Sequence, residues 1–188
     1  MKHALLFAAS LAALGLTACG KEPEPAASTP AATLDATDDA AALPAPATAS
    51  EGQTFANTAA ASDAFEIESS RLAASKASSA EVKRFAEEMI KAHTDSTAKL
   101  KSAAAQATPP ITPDPKLTPM QQQTLTDLGG KSGAEFDKAY VAAQVNAHQM
   151  TLDALKAYSA DGDVPSLKAF ATELVPIVTA HLNMAKGM

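Results

Sequence analysis

Residues 136–158 form an uninterrupted amphipathic segment that constrains the fold of this chain more than any other feature. The segment lacks glycine and proline, and its apolar side chains recur every three or four positions, which indicates one face of an α-helix. Similar patterns cover about residues 54–77, 78–105 and 163–186. The chain is 46% hydrophobic but only 4% aromatic, because it is rich in alanine, a strong helix former. The sequence therefore predicts an all-α fold, an antiparallel four-helix bundle.

The connections between these helices are also visible in the sequence. Only one or two residues separate the first two helices, which predicts a hairpin with Ser78 and Glu81 as a capping box. Asp163 is predicted to cap the last helix. Residues 108–119 are rich in proline and predict a stiff crossover. A short extra helix is then expected to begin at Thr118-Pro119 and to end at Gly129-Gly130.

The N-terminal residues predict export and a membrane anchor. A short cationic head precedes an apolar run over residues 4–16, which is too short to span a bilayer. The following Leu-Thr-Ala-Cys resembles a bacterial lipoprotein signal, and Cys19 is the only cysteine of the chain. Residues 1–18 are therefore predicted as a signal peptide and Cys19 as the lipidated residue. Gly20 at the next position implies sorting to the outer membrane.

The mature chain is expected to have two parts. Residues 19–53 are rich in proline, alanine and acidic residues without apolar periodicity, which predicts a disordered tether. Residues 54–188 are long enough for one domain, which would face the periplasm. A net charge of -6 argues against a nucleic-acid partner, and no protein partner can be identified from the sequence.

Three of the four long segments carry a histidine where a core residue is expected, namely His93, His148 and His181. The first segment has an apolar stripe, with Glu66 at its edge, formed by Phe55, Thr58, Ser62, Phe65, Ser69 and Leu72. In an up-down-up-down bundle, the helical rise of ~1.5 Å per residue places these four side chains within about 10 Å of one another along the axis. A shared metal would require ring nitrogens closer together than about 6 Å.

The domain resembles the bacterial domain-of-unknown-function family 4142, a ferritin-like four-helix domain often labelled predicted outer membrane protein. This resemblance implies a fold and an envelope location, since the family has no established activity. The residues that carry it are Glu66-Ile67, Leu72-Ala73, Val82-Lys83, Phe85-Ala86, Met89, His93, Phe136-Asp137, Tyr140, His148, Leu174, Pro176, His181-Leu182 and Ala185.

The histidine cluster allows two main interpretations. A di-iron centre is disfavoured because the Glu-x-x-His pairs of ferritin-like proteins are absent, and Glu66 and Asp137 are the only acids that the pattern places well. A single Zn, Cu or Fe ion on the three histidines and Glu66 is one hypothesis. Met89 and Met184 lie near histidines and would suit copper. The other hypothesis is a structural polar layer in which Glu66, Tyr140, Gln144 and Asp137 pair with the histidines.

The functional expectations follow from these alternatives. No catalytic motif is present, and no pair of acids is predicted to share one helix face, so an enzymatic role is not expected. The first hypothesis is a non-enzymatic lipoprotein of the outer membrane that supports envelope maintenance or stress tolerance. The competing hypothesis is a metal-binding or redox protein, and a pH-sensing role for the histidines is a third.

Overall fold

The computed structural model describes residues 49–188, and these residues form five α-helices without a strand. The helices are α1 (Glu51–Lys76), α2 (Ala80–Ala105), α3 (Pro119–Gly129), α4 (Gly133–Asp161) and α5 (Pro165–Gly187). The prediction of an all-α bundle with a short helix before the third long one is confirmed. None of the helices in this part of the chain is apolar over enough residues to cross a membrane.

The predicted signal peptide, Cys19 and most of the tether lie outside the described residues. Residues 51–53 were assigned to the tether, but they form the first turn of α1. The helix starts early because the Ser50 hydroxyl accepts a hydrogen bond from the Gln53 amide at 3.1 Å and so caps it. The helical domain therefore begins three residues before the predicted boundary.

The two helix hairpins, α1–α2 and α4–α5, lie antiparallel with their turns at opposite ends of the bundle. Asp137, in the second turn of α4, contacts Ser78 and Ser79 in the α1–α2 turn. Tyr158, near the end of α4, stacks on Phe55 near the start of α1, with ring centroids 3.9 Å apart. In each long helix both packed neighbours run antiparallel to it, and α1 packs on α2 and α4 while α5 packs on α4 and α2.

The predicted up-down-up-down connection is therefore wrong, because the crossover runs back along the whole bundle. The crossover first contacts the start of α1, where the Gln53 amide donates to the Thr112 carbonyl at 2.8 Å. It reaches the opposite end through α3, where Lys76 Nζ donates to the Gly129 carbonyl at 2.7 Å. The α3 helix begins with the predicted cap, a capping box between Thr118 and Gln121.

Two of the predicted helix caps differ from the structure. The N-cap of α2 is Ser79, whose hydroxyl accepts hydrogen bonds from the amides of Glu81 and Val82, whereas Ser78 bonds to Asp137. The N-cap of α5 is Val164, and Asp163 instead accepts a hydrogen bond from the Tyr158 hydroxyl at 2.8 Å. In both turns another polar contact, long-range for Ser78 and local for Asp163, engages the side chain that capping rules assign to the helix end.

A polar layer separates two apolar regions of the core. One apolar region includes Phe55, Tyr158 and Phe170, and the other includes Phe85 and Phe136. Between them lie buried polar side chains from all four long helices. These are Asp63, Glu66, Ser69, Ser70, His93, Ser96, Gln144, His148 and His181.

The α1 helix buries a different face from the predicted stripe. Thr58 of that stripe is exposed, whereas Ala56, Ala60 and Asp63 are buried. At about 100° per residue the buried face is turned by roughly a quarter of a turn. The shift brings Glu66 from the edge of the apolar stripe towards the centre of the buried face.

Candidate metal centre

His93 of α2, His148 of α4 and His181 of α5 meet in the polar layer as a compact triangle. Their ring centroids are 5.6 Å apart for His93 and His148, 5.9 Å for His93 and His181, and 5.6 Å for His148 and His181. One ring nitrogen from each histidine lies within 4.8 Å of the others, inside the limit of about 6 Å set above. All three side chains are buried.

The histidines meet although the connection used to place them was wrong. His148 lies near the middle of α4, so reversing the direction of the α4–α5 hairpin changes its depth little. His93 likewise lies near the middle of α2. The predicted depths of His93 and His148 along the bundle are therefore nearly the same for both paths of the crossover.

Asp63 of α1 orients the ring of His93. The two side chains are joined by a hydrogen bond of 2.8 Å between His93 Nδ1 and Asp63 Oδ1. Burial lowers the pKa of His93, but this hydrogen bond and the nearby carboxylates of Glu66 and Asp63 outweigh it, so the pKa lies above its ordinary value. His93 Nε2 is left buried and unpaired within residues 49–188. This arrangement matches the carboxylate–histidine pairs that orient metal ligands.

His148 is held by the backbone of its own helix. Its Nδ1 lies 2.9 Å from the Gln144 carbonyl oxygen, and a carbonyl can only accept, so Nδ1 carries the proton and donates it. Nε2 then presents its lone pair to the cluster, where the described part of the chain offers it no hydrogen-bond partner. The backbone thus selects the tautomer that a metal ligand needs.

His181 completes the triangle with an unpaired Nδ1, for which no described residue supplies a hydrogen bond. Burial, with the charge of His93 as a smaller cause, lowers the pKa of His181 to about 4 and that of His148 to about 3. Both rings are therefore neutral at pH 7, which is the form that binds a metal.

Glu66 lies beside the triangle and outside the group of ligand atoms. Its Oε1 is 3.4 Å from His148 Nδ1, which is the nitrogen that already donates to the Gln144 carbonyl. Among the described residues, the cluster that could hold an ion consists of the three histidines. Burial raises the pKa of Glu66 to about 7. Glu66 therefore lies next to His148, and its role as a fourth ligand stays a prediction.

The other predicted members of the polar layer are distributed differently. The Gln144 amide donates to Ser69 Oγ at 3.1 Å, next to the cluster. Tyr140 lies about two turns before His148, and its hydroxyl pairs with Ser70 Oγ at 2.8 Å. Asp137 is not in the layer, because it lies about three turns before His148 and accepts hydrogen bonds from the amides of Ser78 and Ser79 at 3.0 and 2.9 Å.

The sequence analysis missed Asp63. It lies three residues before Glu66, so both carboxyl groups belong to the same buried face of α1. The prediction that no two acids share one helix face is therefore wrong, as is the view that Glu66 and Asp137 are the only well-placed acids. The i, i+3 spacing was a usable signal. Of the two methionines considered for copper, Met89 is buried and Met184 is 38% exposed.

A family model described as a domain of unknown function, DUF4142, matches residues 36–188. The chain belongs to the DUF4142 family. The match starts within the predicted tether and includes all five helices of the described residues. No curated protein matches the chain in sequence.

Two solved structures are similar to this DUF4142 chain. One is CopM in its Cu(II)-bound form, with a TM-score of 0.61 and 16% sequence identity over 72% of this chain and 93% of CopM. The other is CopM in its Cu(I)-bound form, with a TM-score of 0.60 and 16% identity over 74% of this chain and 95% of CopM. At this identity the similarity shows a shared helical fold.

Proposed function

We propose that the DUF4142 domain binds a single transition-metal ion, copper, through His93 Nε2, His148 Nε2 and His181 Nδ1. Two observations carry this proposal: each of the three histidines has a buried nitrogen without a hydrogen-bond partner within residues 49–188, and each offers a ring nitrogen within 4.8 Å of the others. A shared ion at ~2.0–2.1 Å would bring such nitrogens to about 3.3–3.6 Å from one another. The ring nitrogens now lie within 4.8 Å of one another, and rotation of the imidazole rings can bring them to this shorter separation.

Hydrogen bonding alone accounts less well for these nitrogens. A buried polar atom without a partner costs about 1–3 kcal/mol, and each of the three clustered histidines has one such atom. A purely structural polar layer would pair its members, as Tyr140 and Ser70 do at 2.8 Å. A metal ion accepts all three lone pairs at once and so removes the cost.

Copper is favoured among the metals that imidazole binds. Zn, Cu, Fe and Ni all suit imidazole ligands. A di-iron centre remains disfavoured, since the residues three positions before the histidines are Ile90, Val145 and Val178 rather than bridging carboxylates. CopM, which shares the helical fold, binds copper in its Cu(II) and Cu(I) forms. This domain would then hold copper without catalysing a reaction.

A location in the periplasm would make copper binding by this domain useful to the cell. The signal-peptide pattern, Cys19 and Gly20 support a lipid-anchored protein of the outer membrane with its domain in the periplasm. Copper that enters the envelope would meet the site there, and binding in a buried site would withhold it from other thiols and imidazoles. The expected contribution to stress tolerance is then metal sequestration.

Metal analysis of the untagged protein tests this function. The protein is incubated with Cu(II), with Cu(I) under reductant, with Zn and with Fe, then freed of excess metal and measured by mass spectrometry. We expect one copper ion per chain, lost in His148→Ala and retained in Gln149→Ala, a neighbouring position on the same helix. Wild-type protein that stays metal-free after all four incubations would contradict the proposal and support the structural layer. Stoichiometric zinc or iron without copper would contradict the choice of metal.

The anchor is tested separately by Cys19→Ser. We expect the variant to fold and bind copper but to leave the membrane fraction. A variant that still fractionates with membranes would show that lipidation of Cys19 does not hold the protein there.

A further inference from the structure

A groove of about 560 Å³ lies between α1, α3 and α4, on the side of α1 and α4 that faces away from the metal centre. Its lining combines alanine, threonine and serine with Phe65, Met120 and Met150, and no charged side chain of residues 49–188 contributes to it. We propose that this groove binds an uncharged molecule with a single extended hydrocarbon chain.

The α3 helix serves as a wall of this groove more than as part of the core. Only Leu128, near its C-terminal end, is buried among its residues. The helix is nevertheless fixed at both ends, by the hydrogen bond from the Gln121 amide to the Ala61 carbonyl at 3.3 Å and by the one from Lys76 to the Gly129 carbonyl. Its first turns are thereby held across α1 and α4 without filling the space beneath them.

The floor of the groove is built from small side chains. Ser62 and Thr151 join α1 to α4 by a hydrogen bond of 2.7 Å between their hydroxyl groups. Alanines at positions such as Ala143 and Ala147 leave the space above this seam open. Met120 and Met150, which are 62% and 55% exposed, stand at the opening. Methionine side chains are flexible and adapt to the shape of an apolar ligand.

The dimensions and polarity of the groove select the ligand class. The α4 residues that line it run from Ala142 to Ala154, a length of about 18 Å at ~1.5 Å per residue. The volume falls within the range of about 300–1,000 Å³ for small-molecule sites. Because no cation or anion lines the groove, a charged head group would lose its hydration without a partner. The amide of Asn146 can instead bind a neutral hydroxyl group.

The test uses the full-length chain and the neutral fluorescent probe 1-N-phenylnaphthylamine, displaced by dodecanol. We expect wild-type protein to bind the probe and dodecanol to displace it. Met150→Glu should weaken the binding of both by about tenfold or more, since a bound hydrocarbon chain would displace water from the carboxylate at the opening. Met150→Leu should bind like wild type. Met120→Glu, on the opposite wall, should repeat the loss, and all variants should keep their copper and helical content.

Three results would overturn this inference. The first is wild-type protein that does not enhance the fluorescence of the probe. The second is equal affinity in wild type and both glutamate variants. The third is a wild-type dimer that does not bind dodecanol and that Met150→Glu dissociates, which would make the groove a contact between two copies of the chain.

Discussion

Two buried polar side chains on α4, Tyr140 and His148, lie about two turns apart and differ in how their polar atoms are satisfied. The Tyr140 hydroxyl pairs with Ser70 at 2.8 Å, and the surrounding rings of Phe85 and Phe136 complete its packing. His148 uses one nitrogen for the backbone and leaves the other unpaired among the described residues, beside two more histidines that each have an unpaired nitrogen. The Tyr140 hydroxyl therefore has its hydrogen-bond partner within the protein, whereas Nε2 of His148 would gain a partner from a bound ion.

Removal of the Asp63 carboxylate should weaken copper binding at the histidine cluster without removing a ligand. Asp63→Ala takes away the acceptor that orients His93, and partners of this kind are typically worth about 10–100-fold in metal affinity. Competition titration with a copper chelator measures the change. Asp63→Asn should lose less, because its amide oxygen can still accept from Nδ1. Unchanged affinity in Asp63→Ala would mean that His93 is not a ligand.

Replacement of His181 by leucine should change metal binding and stability in opposite directions. His181→Leu removes a ligand, so copper binding should fall to background. It also replaces a buried ring with an unpaired nitrogen by an apolar side chain, which should raise the free energy of unfolding of the metal-free protein by about 1 kcal/mol. Urea unfolding in the presence of a chelator measures this. A clear loss of stability would indicate that His181 has a structural partner.

The sequence predicted the helices well because their signals are local. The ends of α3 follow from Thr118-Pro119 and Gly129-Gly130, and each histidine was noticed because it interrupts an apolar stripe. The path of the crossover was not predictable in this way. Proline in residues 108–119 excludes a helix but does not specify whether the chain returns along the bundle or turns at its end.

The buried face of α1 was misplaced for a related reason. Its interior residues are mostly alanine, serine and two acids, so apolar contrast between the faces of this helix is weak. The predicted stripe was centred near the large apolar residues Phe65 and Leu72, although Leu72 is only half-buried. Because Asp63 and Glu66 reach the core through contacts with α2 and α4, only the packing of those helices reveals that their face is buried.

Loss of the Tyr140 hydroxyl should affect stability and leave the metal site intact. Tyr140→Phe leaves Ser70 Oγ buried without its partner, so we expect the free energy of unfolding to fall by about 1 kcal/mol. Copper affinity should equal that of wild type, since the hydroxyl group bonds to Ser70 and not to a histidine. Ser70→Ala combined with Tyr140→Phe should recover part of the stability. A change in copper affinity in Tyr140→Phe would contradict this prediction and show that the Tyr140–Ser70 pair and the histidine cluster are coupled.

Asp137 extends the comparison to the surface, where a satisfied carboxylate should give a small, pH-dependent effect. Burial raises the pKa of Asp137, but hydrogen bonds from the Ser78 hydroxyl and from the amides of Ser79 and Ser78 outweigh it, so the pKa lies below its ordinary value. A lowered carboxyl pKa stabilises the folded protein above the unfolded value of about 3.9, and this stabilisation is lost as the pH falls through the folded pKa. Asp137→Ala should therefore cost about 0.5–1 kcal/mol at pH 7 and progressively less as the pH falls through the folded pKa. Urea unfolding between acidic pH and pH 7 measures the difference, with Glu88→Ala, an exposed carboxylate on α2, as the control. A cost that does not decrease at low pH would assign the effect to packing rather than to the charged hydrogen bonds.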